Sequence, residues 1–506
     1  MKKIILSLWL ILSLGLAFNP AVVSSLQVNQ VPTELTIGGL FPLTGTLSGG
    51  GVEREAAARM ALNEINSRAD ILPQTTLKMI VRDTATTPAT GATAAQELID
   101  LNVFGLVGAA SSSVSKSIAD VAAVAKIPQI SYSSTNADLT NKTVYPFFLR
   151  VVPPDSVQGV ALANILYNDL GITLVSTLAT SDDYGAGGIG VFTTAFLALG
   201  GTISVAQTFT QGSADVSSQL ATIVGGTAKT IVLNTIVGDT NTVMNQAGTA
   251  GITPANGWQW VGTDGSTQEQ AFEGDAIAQA AMQGMIGTSL NKGAGDQWLR
   301  FKDMWECGDP TDYSGAGDRI PNTFASFAFD AIYAFARAAD SMFTAGTDPT
   351  NGTALLAVLQ AISFDGVTGP VGFDVNGDRE AVYVLLNLKN DTFENIAIWD
   401  PTNGYNQYGN LTFADGTTIE VLGPGDPNAD PAGHVPQCNQ FLFNIVEHTV
   451  TNTATDTVTG AGSTETVTGA GSTVTEVSVS TESPGFGIVL ALFSMFLAIP
   501  ILRRRK

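Results

Sequence analysis

Apolar residues fall along this chain in two alternating rhythms. Short runs of strand length give way to stretches in which apolar positions recur every three or four residues. Leu35 to Phe41 predicts a strand, and Pro42 to Gly51 reads as a glycine-rich turn. Val52 to Asn66 predicts a helix with Ala56, Met60, Leu62 and Ile65 on its inner face. Leu77 to Val81 follows as a strand, and Ala89 to Leu101 as a helix opened by Pro88. Phe104 to Gly108 and Pro128 to Ser131 are further strands, separated by a helix that Ser111-Ser112-Ser113 opens. A second series starts near Val151. It predicts helices over Ser156–Tyr167, Gly188–Leu199, Ser213–Ile223 and Asn241–Ala250, between strands over Thr173–Leu178, Thr202–Thr208, Thr230–Leu233 and Trp258–Val261. Met282 to Gly287 begins a return, with helices over Gly295–Trp305, Ala325–Met342 and Thr353–Ile362, then β-structure from Phe364 to Leu388. Strands alternating with helices predict mainly parallel sheets covered on both faces, in two similar α/β halves.

Two small-polar clusters sit at carboxyl ends of strands, where open α/β sheets bind ligands. They are Ser111 to Ser113 and Ser133-Ser134-Thr135. Free N–H groups and the positive dipole end at a helix start attract anions, so the clusters suit the carboxylate of a small molecule. A serine there can equally serve only as a helix cap. The glycine-rich turn after the first strand, PLTGTLSGGGVE, has neither the lysine of a phosphate-binding P-loop nor the Rossmann glycine spacing.

Composition narrows the function. The chain of 506 residues carries 23 basic against 45 acidic residues, a net charge of −22. That balance argues against nucleic acid as a partner. Only two histidines occur, His434 and His448, both late in the chain. A Ser-His-Asp constellation or a histidine metal site in the main body is excluded by count. No metal, cofactor or enzymatic activity is expected.

The ends set the compartment. Residues 1–25 read as a secretory signal: two lysines, an apolar run from Ile4 to Phe18, then small residues. For an exported chain, the two cysteines, Cys307 and Cys438, are expected to form a disulfide. Asn141, Asn351, Asn390 and Asn410 each begin a glycosylation sequon. Residues 447–483 are rich in Thr, Ser, Val and Gly, with TVTGAGST repeated, and read as an extended stalk. Residues 484–506 comprise Pro484-Gly485-Phe486, an apolar run to Leu502 and the basic tail Arg503 to Lys506. The run is just long enough to span a membrane with the basic tail inside. This tail resembles the PGF-CTERM sorting signal of archaeal surface proteins. The resemblance implies processing near the PGF and lipid attachment, with the body facing outward at the cell surface.

Residues 34 to 400 resemble the amino-acid-binding proteins of ABC transporters, of the branched-chain (type I periplasmic-binding) family. The matching motifs are IGGLFPLTG (37–45), LNEIN (62–66), VRD (81–83), AAQELID (94–100), VGAASSS (107–113), IPQISYSST (127–135), FFLRVVPPDSVQG (147–159), DDYGAGG (182–188) and GVTGPVGFDVNGDR (366–379). The resemblance implies two Rossmann-like lobes joined by a three-stranded hinge. Lobe one is expected at 34–152 plus 283–362, and lobe two at 153–282 plus 363–446. A ligand lies between lobes that close over it.

The family's carboxylate-binding serine falls on Ser112, or on Ser111 if the turn differs by one residue. The positions that meet carboxylate and ammonium fall on Ser133 and Thr135. The tyrosine that covers the ligand falls on Tyr184, and the acid that pairs with the ammonium on Asp264. Two departures affect the side-chain pocket. Ser48 to Gly51 stands where the family often has an aromatic residue, and Val237 stands where some members have tyrosine. The implied function is capture of an amino acid, branched-chain-like, or of a related small carboxylate or amide, for ABC permease and ATPase subunits. The alternative is a ligand-sensing surface receptor. With only RRRK beyond the anchor, that receptor would act through a partner.

Overall fold

The computed structural model describes residues 31–293, 295–317, 321–380 and 382–420, together with His434, Pro436 and Cys438. The signal (1–25), the stalk (447–483) and the sorting tail (484–506) lie outside the described residues. Among the described residues no helix is long and apolar enough to cross a membrane.

The first sheet has the order β2-β1-β3-β4-β5 and is parallel throughout. Its strands are β1 (Glu34–Phe41), β2 (Thr76–Asp83), β3 (Leu106–Val107), β4 (Gln129–Ser131) and β5 (Phe148–Arg150). Between them run α1 (Ser48–Ser67), α2 (Pro88–Asp100) and α3 (Ser112–Ala125). Val107 pairs with Gly39 on one side and Ile130 on the other, so the loops after β1, β3 and β4 open at one edge. The central strands are buried on both faces, which is why they read as continuous apolar runs rather than alternating ones.

The second sheet has eight strands in the order β15-β14-β13-β10-β9-β8-β6-β7. The parallel part comprises β6 (Leu174–Thr180), β7 (Thr202–Phe209), β8 (Thr230–Asn234), β9 (Gln259–Gly262) and β10 (Ile286–Leu290). Helices α4 (Asp155–Asn164), α5 (Asp183–Ala198), α6 (Ser217–Val224), α7 (Val237–Thr249) and α8 (Ala276–Met282) lie along this part of the chain. The chain then supplies α9 (Gly295–Glu306), α10 (Thr323–Thr344) and α11 (Gly352–Ala361), with α10 packed along α1. The hairpin β11 (Ser363–Gly366) and β12 (Gly369–Gly372) precedes β13 (Tyr383–Lys389), β14 (Thr392–Asp400) and β15 (Gly404–Gln407), which complete the second sheet antiparallel. A small hairpin of β16 (Leu411–Thr412) and β17 (Thr418–Ile419) ends the main described chain.

Three expectations are corrected. Strand β10, expected in lobe one from residue 283, belongs to the second sheet, because it pairs with β9 and β13. The hairpin at 363–372, expected in lobe two, is held to lobe-one helix α10. Asp330 accepts the backbone N–H of Val367 (2.9 Å) and of Thr368 (3.0 Å). The crossings therefore fall after Arg150, after Leu290 and between Asp378 and Tyr383. Finally, Ser48 to Gly51 is not a turn but the first turn of α1. A Cβ on Gly51 would stand 1.9 Å from the Pro42 carbonyl oxygen. Glycine alone allows this helix end to press so closely on the preceding loop.

Two buried arginines tie the crossings together. Arg150 pairs with Asp378 at 2.7 Å, and Arg379 donates to the Val151 carbonyl at 3.1 Å. Cys307 at the end of α9 is disulfide-bonded to Cys438, with Cα atoms 5.2 Å apart. His434 joins the same helix through Asp303, at 2.5 Å. The sequon asparagines Asn141, Asn351, Asn390 and Asn410 are all exposed.

Candidate functional site

The two serine clusters meet at the C-terminal edge of the first sheet. Ser111 is the N-cap residue of α3, yet its side chain makes no capping bond. Its hydroxyl is buried without a partner. The cap reading is thus not what occupies this side chain. Ser112 Oγ instead accepts from the Asn136 amide at 3.2 Å and holds the second loop in place. That loop is further fixed by Ser131 Oγ, which accepts from Ser133 (3.2 Å) and Ser134 (2.9 Å). Arg150 Nη1 donates to the carbonyls of Ser134 (3.2 Å) and Asn136 (2.9 Å). Ser111, Ser112 and Ser133 line one cavity; Thr135 lies outside the lining, its hydroxyl buried and its carbonyl accepting the Asp155 N–H at 2.7 Å.

The opposite wall comes from lobe two. Tyr184, in the first turn of α5, donates to Asp264 Oδ1 at 2.7 Å, and its oxygen accepts the Gly265 amide at 2.9 Å. Gln268 braces this loop by donating to the Asp264 and Gly265 carbonyls. It also accepts from Asn322 of lobe one at 2.8 Å. Tyr184, Asp264, Gly265 and Gln268 share the cavity with Ser111. The structure therefore brings five of the six candidate residues to one cavity wall or the other; Thr135 is not in the lining.

Two further buried groups bear on the site, Arg54 in the cavity lining and Asp155 outside it, and neither was identified from the sequence. The first is Arg54, in the second turn of α1 and 1% exposed. Its Nε and Nη1 have no hydrogen-bond partner, and its guanidinium lies 5.0 Å from the centre of the Phe324 ring. Burial lowers its pKa, opposed by Tyr132, Glu53 and Asp264. Gly50 makes room for it, since a Cβ there would stand 3.1 Å from Nη2. The signal was a charged triplet, Glu53-Arg54-Glu55, in a helix otherwise rich in alanine.

The second is Asp155, at the start of α4 just past the first crossing. It is 1% exposed, and neither carboxylate oxygen has a partner. Burial first, then Asp264, pushes its pKa up to about 7, with Thr135 and Arg150 opposing. Burial likewise raises Asp264, eased by the Tyr184 bond. Two buried carboxylates that repel each other hold a proton to higher pH, and a cation arriving between them favours the doubly ionised form. The cavity therefore presents small-residue hydroxyls at a helix N-terminus, the Asp264 carboxylate and, at the α1 side, the Arg54 guanidinium, with Asp155 outside its lining. Among the described residues no group of His, Cys, Asp and Glu is arranged to hold a metal.

Comparison with known proteins agrees with this architecture. Residues 53–391 match the family described as receptor family ligand binding region, and residues 483–505 match the PGF-CTERM motif. The chain is 27% identical over 381 residues to metabotropic glutamate receptor-like protein E of Dictyostelium discoideum, covering 72% of this chain and 44% of that protein. It is 27% identical over 472 residues to metabotropic glutamate receptor 4 of Macaca fascicularis, covering 76% and 51%. The chain thus spans about half the length of the curated relatives it matches. Among solved structures, it is similar to a leucine-binding protein, LivK, of Thermotoga maritima, with TM-score 0.63 and 24% identity over 72% of this chain and 99% of that one. It is also similar to LivJ of Streptococcus pneumoniae in complex with isoleucine, with TM-score 0.61 and 23% identity over 71% and 98%. These likenesses carry the two-lobe type I periplasmic-binding fold. The chain belongs to the receptor ligand-binding-region family, and its PGF-CTERM motif anchors it at the cell surface.

Proposed function

We propose that this member of the family captures an α-amino acid bearing a second acidic group, of the glutamate or aspartate type, between its two lobes outside the cell. In this reading Ser111, Ser112, Ser133 and Thr135 receive the α-carboxylate. Asp264 and Asp155 receive the ammonium, with Tyr184 closing over it. The observation that carries the choice is Arg54. A guanidinium buried with two nitrogens unpartnered is costly, and an acidic side chain on the ligand would supply the missing partner. An apolar branched side chain would leave the charge unpaired, so the branched-chain preference expected from sequence is set aside. The names of the curated relatives, glutamate receptors, agree with an acidic ligand.

The captured ligand passes to the permease and ATPase subunits of an ABC importer. The match to metabotropic glutamate receptors favours a second reading, a sensing domain acting through a partner. Loss of amino-acid uptake on deleting the gene supports the importer; unchanged uptake with a lost response to the amino acid supports the sensor. The exposed sequons Asn141, Asn351, Asn390 and Asn410 are proposed glycan acceptors on the outward face.

A thermal-shift panel tests the ligand class. L-Glutamate or L-aspartate should raise the melting temperature, the stabilisation reaching about 2.7 kcal/mol at 100 times Kd. A shift with leucine and none with either acidic amino acid would overturn the choice. The ammonium assignment has its own test. Asp264→Asn should weaken L-glutamate at least about tenfold more than glutarate, which lacks the ammonium. Equal losses would remove Asp264 from that role.

A further inference from the structure

Lobe one grips a single residue of lobe two, Asp183, from three directions. Ser113 Oγ accepts its backbone N–H at 3.2 Å. Lys116 Nζ pairs with its carboxylate at 2.7 Å. Asn136 Nδ2 donates to its carbonyl at 2.5 Å. None of these contacts uses the ligand cavity, and neither Lys116 nor Asp183 lines it. Yet Asp183 immediately precedes Tyr184, and it lies one helical turn from Gly187, against which Asn136 is packed so closely that a Cβ would clash at 2.2 Å. Lys116 is only 14% exposed and is also held at 2.8 Å by Asp138 of lobe one. Its ammonium is thus fixed in place on one lobe and offered to the other.

We infer that Asp183 is the catch of the cleft, and that Ser113, Lys116 and Asn136 are positioning residues which seat Tyr184 on Asp264 when the lobes close. The inference rests on the reading of the cleft as a closing ligand site, but it concerns contacts the ligand does not make. Ser113 belongs to the serine cluster of the first loop, and it divides that cluster by role. Ser111 keeps a free hydroxyl at the cavity, Ser112 holds the neighbouring loop, and Ser113 reaches across to the other lobe. The catch adds the same stabilisation to the closed form whichever ligand is enclosed, so it governs how long any ligand stays rather than which one enters.

The test separates the catch from ligand recognition. The two native cysteines are disulfide-bonded, so spin labels can be placed through V124C on lobe one and L197C on lobe two, both exposed positions. Interlobe distances are then measured by pulsed electron spin resonance on the ligand-free full chain. Lys116→Met and Asp183→Asn should each move population from the short to the long distance, and the double variant should go no further than either single one. Isotope-labelled L-glutamate should dissociate about three- to tenfold faster from both variants, with association nearly unchanged. Ser113→Ala should act in the same direction. Unchanged interlobe distances in Lys116→Met and Asp183→Asn would overturn the inference. If L-glutamate fails to bind, the ligand class is wrong and the ligand-free distances alone decide the catch.

Discussion

Replacing Arg54 with leucine is expected to cost at least about a hundredfold in affinity for L-glutamate while making the ligand-free protein more stable. Both effects have one cause. Arg54 is fully enclosed and its Nε and Nη1 meet no acceptor; the Phe324 face and the nearby Glu53 and Asp264 carboxylates compensate its charge only in part, since burial still lowers its pKa. In the absence of ligand the guanidinium has lost its water and gained little. An acidic ligand restores the balance, and in a closed cavity such a pair is far stronger than in water. Leucine at position 54 removes the burden from the free protein and the partner from the ligand. Arg54→Leu should therefore raise the melting temperature without ligand, abolish the shift given by L-glutamate, and admit leucine or isoleucine. Arg54→Lys should retain part of the acidic-ligand affinity, because a point charge keeps the attraction but not the forked geometry. Thermal melts, with isothermal titration of the two variants with glutamate and leucine, measure all of this. Undiminished glutamate binding by Arg54→Leu would place the second acidic group elsewhere.

The same residue marks where sequence reading stops. The alternation of strands and helices is visible because backbone pairing and a two-sided core impose it on every segment. The serine wall of the cavity is visible because it is local: serines at a helix start, next to a strand end. Arg54 is different. Its neighbours Ala56, Met60 and Ile65 mark an apolar face, and an arginine beside them reads as surface. It is buried because α10 lies along α1 and Phe324 covers it, a contact between residues 270 positions apart in the chain. Asp155 escaped for a similar reason. At the start of α4 it reads as a favourable first-turn acid. Only the fold brings it within electrostatic reach of Asp264, more than a hundred residues later. The lobe boundaries moved for a topological reason: β10 and the 363–372 hairpin have the composition of either lobe, and hydrogen bonding alone assigns them.

Asp155 and Asp264 lead to the second large expectation, which concerns pH. Both groups have folded pKa values raised above the unfolded value of 3.8, Asp155 to about 7. A raised carboxyl pKa means the ligand-free fold prefers the protonated acid. Its contribution to stability is full below about pH 4 and is lost as pH rises through about 7. The groups facing Asp155 set this balance: Asp264 and Asp182 raise its pKa, while Arg150 across the hinge and Thr135 lower it. An amino-acid ammonium reverses the preference, because it pairs with the ionised form. Binding of L-glutamate should therefore release protons. It should tighten between pH 5 and pH 7, by up to about tenfold per unit. Titrations in two buffers of different ionisation enthalpy count those protons directly. Burial also raises Asp239, to about 6, and Asp330, so the slope of ligand-free stability is shared among several acids. The difference between wild type and Asp155→Asn isolates the contribution of Asp155. That variant should lose part of the slope, release fewer protons, and bind glutamate more weakly at pH 8 while binding glutarate nearly as well. Proton release unchanged by Asp155→Asn would mean that Asp264 ionises alone and that Asp155 stays protonated throughout, a structural acid rather than a partner of the ammonium.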